Sequence, residues 1–163
     1  MKAGKLCTRD VVVAEAQLPL QEAAERMCDA RVSDLPVVEP VGGGARLIGI
    51  VTARDVVVAA TAQEPGWLRS LTVADVMTSD IAVVREDDEV GSLVEWLGEH
   101  GIRRVPVADD HGNLVGVVAV EDVHHWLASE LASATRALTT RTLDAARPMA
   151  DLVSLDGLPA HTD

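Results

Sequence analysis

The sequence is written twice. Leu35-Pro36-Val37-Val38 and Val105-Pro106-Val107-Ala108 align at an offset of 70 residues, and the same offset sets Leu6-Cys7-Thr8 over Val76-Met77-Thr78 and Leu18-Pro19-Leu20 over Asp88-Glu89-Val90. Downstream, Leu47-Ile48-Gly49-Ile50-Val51-Thr52 matches Leu114-Val115-Gly116-Val117-Val118-Ala119 at an offset of 67. The difference falls between Glu39 and Arg46, a stretch containing Gly42-Gly43-Gly44 that reads as a longer surface turn in the first copy. Copies of about 55 residues bury too little surface to stand comfortably alone, so the two are expected to share one core.

Each copy has the same order of patterns. A β-branched run comes first, Val11-Val12-Val13 or Ile81-Ala82-Val83-Val84. A helix follows near Pro19 or Glu89, with Pro19 suited to a first helical turn. Leu20, Ala23, Ala24 and Met27, or Val90, Leu93, Val94 and Leu97, recur at helical spacing. Two short apolar strands come next, over 35–38 and 47–51 or 105–108 and 114–118, the latter joined by a polar turn. Being apolar at every position, they read as covered on both faces. A second helix starts at about 53 and 120.

The expected fold is α+β, a β-α-β-β-α unit twice. The boundaries are 1–63 for the first repeat, 64–72 for a connector, 73–130 for the second repeat and 131–163 for a C-terminal helix and mobile tail. In the connector Glu64-Pro65-Gly66 breaks the chain, and Trp67 and Leu68 are expected to pack back on the body. The last helix is expected to run to about Ala146 with Leu127, Leu131, Ala134 and Leu138 on one face, and to stop at Pro148.

Composition removes several functions. Asp and Glu number 26 against 14 Lys and Arg, a net charge of −12, with three Trp and no Phe or Tyr. Such a chain lacks the clustered cations and stacking rings that nucleic-acid binding uses. No apolar run approaches the roughly 20 residues that span a bilayer, and no sustained apolar signal region follows Met1. A cytoplasmic location is therefore expected. Cys7, Cys28, His100 and His111 are scattered, and the adjacent His124 and His125 diverge by about 100° on a helix, so no metal site is expected. Glu86-Asp87-Asp88-Glu89 reads as a solvated turn, because it lacks the alternating ligands of a calcium loop.

With both copies in view, the chain resembles a tandem pair of CBS domains, the paired unit called a Bateman module. The resemblance rests on Leu35-Pro36-Val37-Val38 with Gly49-Ile50-Val51-Thr52-Ala53-Arg54-Asp55, on Arg103-Arg104-Val105-Pro106-Val107 with Gly116-Val117-Val118 and Glu121-Asp122, and on Asp75-Val76-Met77-Thr78. It covers roughly residues 5 to 130. It implies repeats packed sheet to sheet with pseudo-two-fold symmetry and two related clefts for adenosine ligands such as AMP, ADP, ATP or S-adenosylmethionine. It also implies sensing rather than catalysis, with no required cofactor, homodimers and an unidentified client protein.

Within that frame Thr52 and Asp55 are expected to hold a ribose, since a carboxylate accepts two hydrogen bonds from a vicinal diol. Thr-x-x-Asp equally fits a helix capping box, in which both side chains only satisfy backbone N–H groups. Arg103 and Arg104 are expected to meet phosphate in the same cleft. The resemblance places Cys7, Val12 and Val32 around the base, where an ordinary core is the competing reading. The second cleft, with Asp122, Ala119 and Ser33, is expected to be weaker: Ala119 lacks the hydroxyl of Thr52, and Ser33-Asp34 replaces the Arg pair. The alternative function is a ligand-free dimerisation module that docks on a partner protein.

Overall fold

The computed structural model describes residues 1–62 and 69–150. The chain divides after Val123 into two units. The first contains α1 (Ala3–Leu6), β1 (Ala14–Glu15), α2 (Leu20–Ala30), β2 (Asp34–Val41), β3 (Gly44–Thr52), α3 (Ala53–Ala62), β4 (Val84–Arg85), α4 (Val90–His100), β5 (Arg104–Ala108) and β6 (Leu114–Ala119). Helix α5 runs Val120–Ala150 and carries the chain into the second unit. Among the described residues no helix is long and apolar enough to cross a membrane.

Two three-stranded sheets, ordered β1-β2-β3 and β4-β5-β6, repeat one topology. In each, the first strand pairs parallel with the second and the second antiparallel with the third. The helical faces behave as the spacing predicts: Leu20, Ala23 and Met27 of α2, and Val90, Leu93 and Leu97 of α4, are buried. The β-branched run Val11–Val13 is not a strand. Its place in the ladder is taken by Ala14 and Glu15, which pair with Val37 and Val38, and Val12 remains exposed. The expected long turn over Glu39–Arg46 is instead hairpin. Glu39, Pro40 and Val41 pair with Arg46, Ala45 and Gly44 around Gly42-Gly43, both at positive φ, where glycine carries no Cβ penalty. Pro148 lies inside the span of α5 rather than ending it. Residues 63–68 and 151–163, with the expected packing of Trp67 and Leu68 and the tail, lie outside the described residues.

The opening segment of each copy crosses to the other sheet. Ala3 is fully buried with Val84, Leu93 and Val105 of the second copy, while Val73 is fully buried with Leu20, Leu35 and Val51 of the first. Thr8 and Val117 exchange backbone hydrogen bonds of 2.9 and 3.0 Å, and Thr78 and Ile50 do the same at 2.9 Å. Two core clusters are thus tied by reciprocal straps, which explains how such small repeats hold together.

Candidate functional site

Between the repeats lies a cavity of about 980 Å³ whose walls come from both copies. The first copy supplies Thr8, Arg31, Val32, Ser33, Asp34, Ile50 and Thr52; the second supplies Arg103, Arg104, Val117, Ala119, Glu121 and Asp122. The polar groups sit where β2 and β5 begin and where β3 and β6 run into helices, so strand ends aim them at one volume. An adjoining cavity of about 140 Å³ shares Thr8, Val32, Asp34, Arg104 and Val117, and adds apolar Val11, Val12, Ala30 and Pro36.

The expected ribose pair is divided by this geometry. Thr52 lines the large cavity, whereas Asp55 is not among its lining residues. Asp55 Oδ2 accepts the Thr52 N–H at 2.8 Å and the Thr52 hydroxyl at 2.7 Å, and the Asp55 N–H donates to Thr52 Oγ1 at 3.3 Å. That is a capping box at the start of α3. In the second copy Asp122 does reach the cavity wall. Its Oδ2 accepts the Ala119 N–H at 2.8 Å, and Ala119 has no hydroxyl to add a second bond. The missing hydroxyl therefore leaves more of the Asp122 carboxylate free to accept.

The basic residues are also engaged. Arg103 donates to Glu121 at 3.0 Å on an exposed face; the carboxylate's own backbone N–H, and after it this guanidinium, hold Glu121 below the usual carboxylate range. Arg104 lies 3.6 Å from Asp34, a carboxylate only 13% exposed. Asp34 and Arg104 are equivalent positions of the two copies, so the pair spans the pseudo-two-fold axis. The Asp34 charge, expected to repel an anion, is offset by this guanidinium. Arg104 Nε is buried without a hydrogen-bond partner among the described residues.

Of the residues expected at the base, Val12 and Val32 line the smaller cavity with Val117, on the strand that leads to Ala119 and Asp122 rather than to Thr52. Cys7 lines neither cavity. It packs with the core of the second sheet, burial pushes its thiol above the usual value, and its Sγ faces Gly116. Ser33 and Ala119 lie on the wall of the large cavity.

Five lining residues fall outside the sequence-based expectation: Thr8, Ile50 and Val117, and the charged Glu121 and Arg31. Arg31 occupies the position that Gly101 holds in the second copy, a replacement visible once the copies are aligned. Among the described residues no group of three His, Cys, Asp or Glu side chains is arranged to hold a metal ion.

A family model described as CBS domain matches residues 3–61 and 73–129. The chain is 30% identical over 127 residues to the uncharacterised protein MK0525 of Methanopyrus kandleri, covering 76% of this chain and 61% of that protein. It is 31% identical over 122 residues to an inosine-5'-monophosphate dehydrogenase of Methanocaldococcus jannaschii, covering 75% of this chain but 23% of the enzyme. The crystal structure of the cytosolic domain of the Mg2+ channel MgtE, in complex with ATP, superposes with a TM-score of 0.63 at 27% identity, over 76% of this chain and 48% of that one.

Proposed function

Because the chain belongs to the CBS domain family and carries two copies in tandem, we propose that it is a ligand-sensing regulatory module. It binds an adenosine nucleotide (AMP, ADP or ATP) in the cavity between the copies and catalyses no reaction. The observation that carries this reading is the cavity of about 980 Å³ walled by both repeats, which combines guanidinium, carboxylate, hydroxyl and aliphatic groups. The base packs against Val12, Val32 and Val117, the ribose diol meets Asp122, and Thr52, Ser33, Arg103 and Arg104 line the remaining volume. The ATP complex of the MgtE cytosolic domain supports an adenosine ligand. The dehydrogenase shares only 23% of its length with this chain, so its activity is not carried over. The module acts in the cytoplasm on a client protein.

Thermal unfolding tests this. A ligand that binds only the folded state at ten times its Kd stabilises by about 1.4 kcal/mol, which raises Tm by about 3–6 °C in a chain of this size. AMP, ADP or ATP is expected to produce that shift. A flat response to all three, and to S-adenosylmethionine, contradicts the proposal.

A second reading is favoured by exposed aliphatic side chains on α5. Leu131 is 70% and Leu138 67% exposed, and they share a helical face with Leu127. We assign this face to a second copy of the chain, making the module a homodimer whether or not it binds ligand. Light scattering at micromolar concentration is expected to give twice the chain mass, reverting to one in Leu131→Lys/Leu138→Lys. A wild-type monomer contradicts it.

A further inference from the structure

Arg31 stands in a left-handed backbone conformation, φ 55° and ψ 40°, directly after α2. Among the described residues it is the only non-glycine residue with positive φ. A side chain there is strained, and the equivalent position of the second copy holds Gly101 at φ 63°. Both helix ends make the same turn: the residue after each cap, Val32 or Ile102, bonds back to Met27 O or Leu97 O at 3.0 and 3.2 Å. The fold therefore accepts glycine at this position, and the arginine adds strain without improving the turn. Such strain is characteristic of positions kept for a ligand.

The charge inventory of the large cavity gives Arg31 a task. Of its three guanidiniums, Arg103 is paired with Glu121 and Arg104 with Asp34. Arg31 lines the same cavity and has no ion-pair or side-chain hydrogen-bond partner among the described residues. We infer that Arg31 is the anion-receiving group of this cavity and binds the phosphate of its ligand, so that one copy's Arg31 holds the phosphate and the other copy's Asp122 the ribose of a phosphorylated nucleoside. This rests on the adenosine reading for the nucleoside but not for the anion.

The test uses the full chain, as wild type, Arg31→Gly and Arg31→Lys, with Kd measured for adenosine, AMP, ATP and inorganic pyrophosphate beside ligand-free unfolding. Relief of the left-handed side chain is expected to raise the Tm of Arg31→Gly by about 2–4 °C. Loss of a charge-assisted hydrogen bond is expected to weaken AMP and ATP by roughly 10- to 100-fold, with adenosine unchanged and Arg31→Lys in between. Equal changes for adenosine and AMP, or no change for either, overturn the inference. If wild type binds no nucleoside or nucleotide, the adenosine reading fails. Arg31 is then judged on pyrophosphate: binding lost in Arg31→Gly supports the inference, and no binding by wild type overturns it.

Discussion

Replacing Gly116 with alanine is expected to cost about 2–4 kcal/mol and to lower Tm by roughly 5–12 °C. A Cβ at Gly116 would stand 2.5 Å from the Thr8 carbonyl oxygen and 2.8 Å from Cys7 Sγ. The oxygen cannot simply move away. Thr8 is fixed by its reciprocal backbone bonds to Val117, and the same segment buries Ala3 in the second core. The new methyl group thus pushes a strap off the sheet it closes, exposing part of two elements at once. Gly98, exposed on α4 with nothing within 4 Å of its virtual Cβ, is the control: Gly98→Ala is expected to gain up to about 1 kcal/mol from helix propensity. Chemical denaturation distinguishes the two. Equal stability of Gly116→Ala and wild type contradicts the strap's role.

The second large effect concerns Arg104. Arg104→Ala leaves the Asp34 carboxylate, 13% exposed, without its charged partner at 3.6 Å, the Ser33 hydroxyl at 3.2 Å remaining as a neutral donor. Breaking a fully buried pair costs about 3–5 kcal/mol; with Arg104 itself 36% exposed, water takes up part of the loss, and about 2 kcal/mol is expected. Because desolvation and attraction nearly cancel in an intact pair, the double variant Asp34→Leu/Arg104→Met is expected to regain most of that stability. A double-mutant cycle from denaturant melts measures the coupling. Loss of under 0.5 kcal/mol in Arg104→Ala, on the scale of an ordinary surface change, contradicts the assignment of Asp34 to this pair.

Much of the fold was legible because one offset served two copies. Leu20, Ala23 and Met27, and their counterparts in α4, kept helical spacing and are buried as that spacing requires. The hairpin over Glu39–Arg46 was not legible, because its strands continue into polar and glycine residues where the apolar pattern ends. Nor could any spacing reveal which sheet Ala3 or Val73 joins. The two stand at equivalent positions of the copies, and only the tertiary crossing decides. At the site, the strand ends indicated Thr52, Ser33, Arg103, Arg104 and Asp122, which line the cavity together. What the sequence concealed was pairing. Thr-x-x-Asp reads alike as a cap and as a ribose clamp, and adjacent arginines do not show that Glu121 and Asp34 already face them.

Equilibrium titration of AMP into wild type, Asp122→Asn and Asp55→Asn tests the shared cavity most directly. Asn at 122 keeps an acceptor for the Ala119 N–H, so the helix start survives while the charge that meets the diol is gone. Saturable binding by wild type is expected, weakened about tenfold or more by Asp122→Asn, the loss of a charged hydrogen bond, and little changed by Asp55→Asn. No saturable binding by wild type, or equal affinity in wild type and Asp122→Asn, contradicts the account.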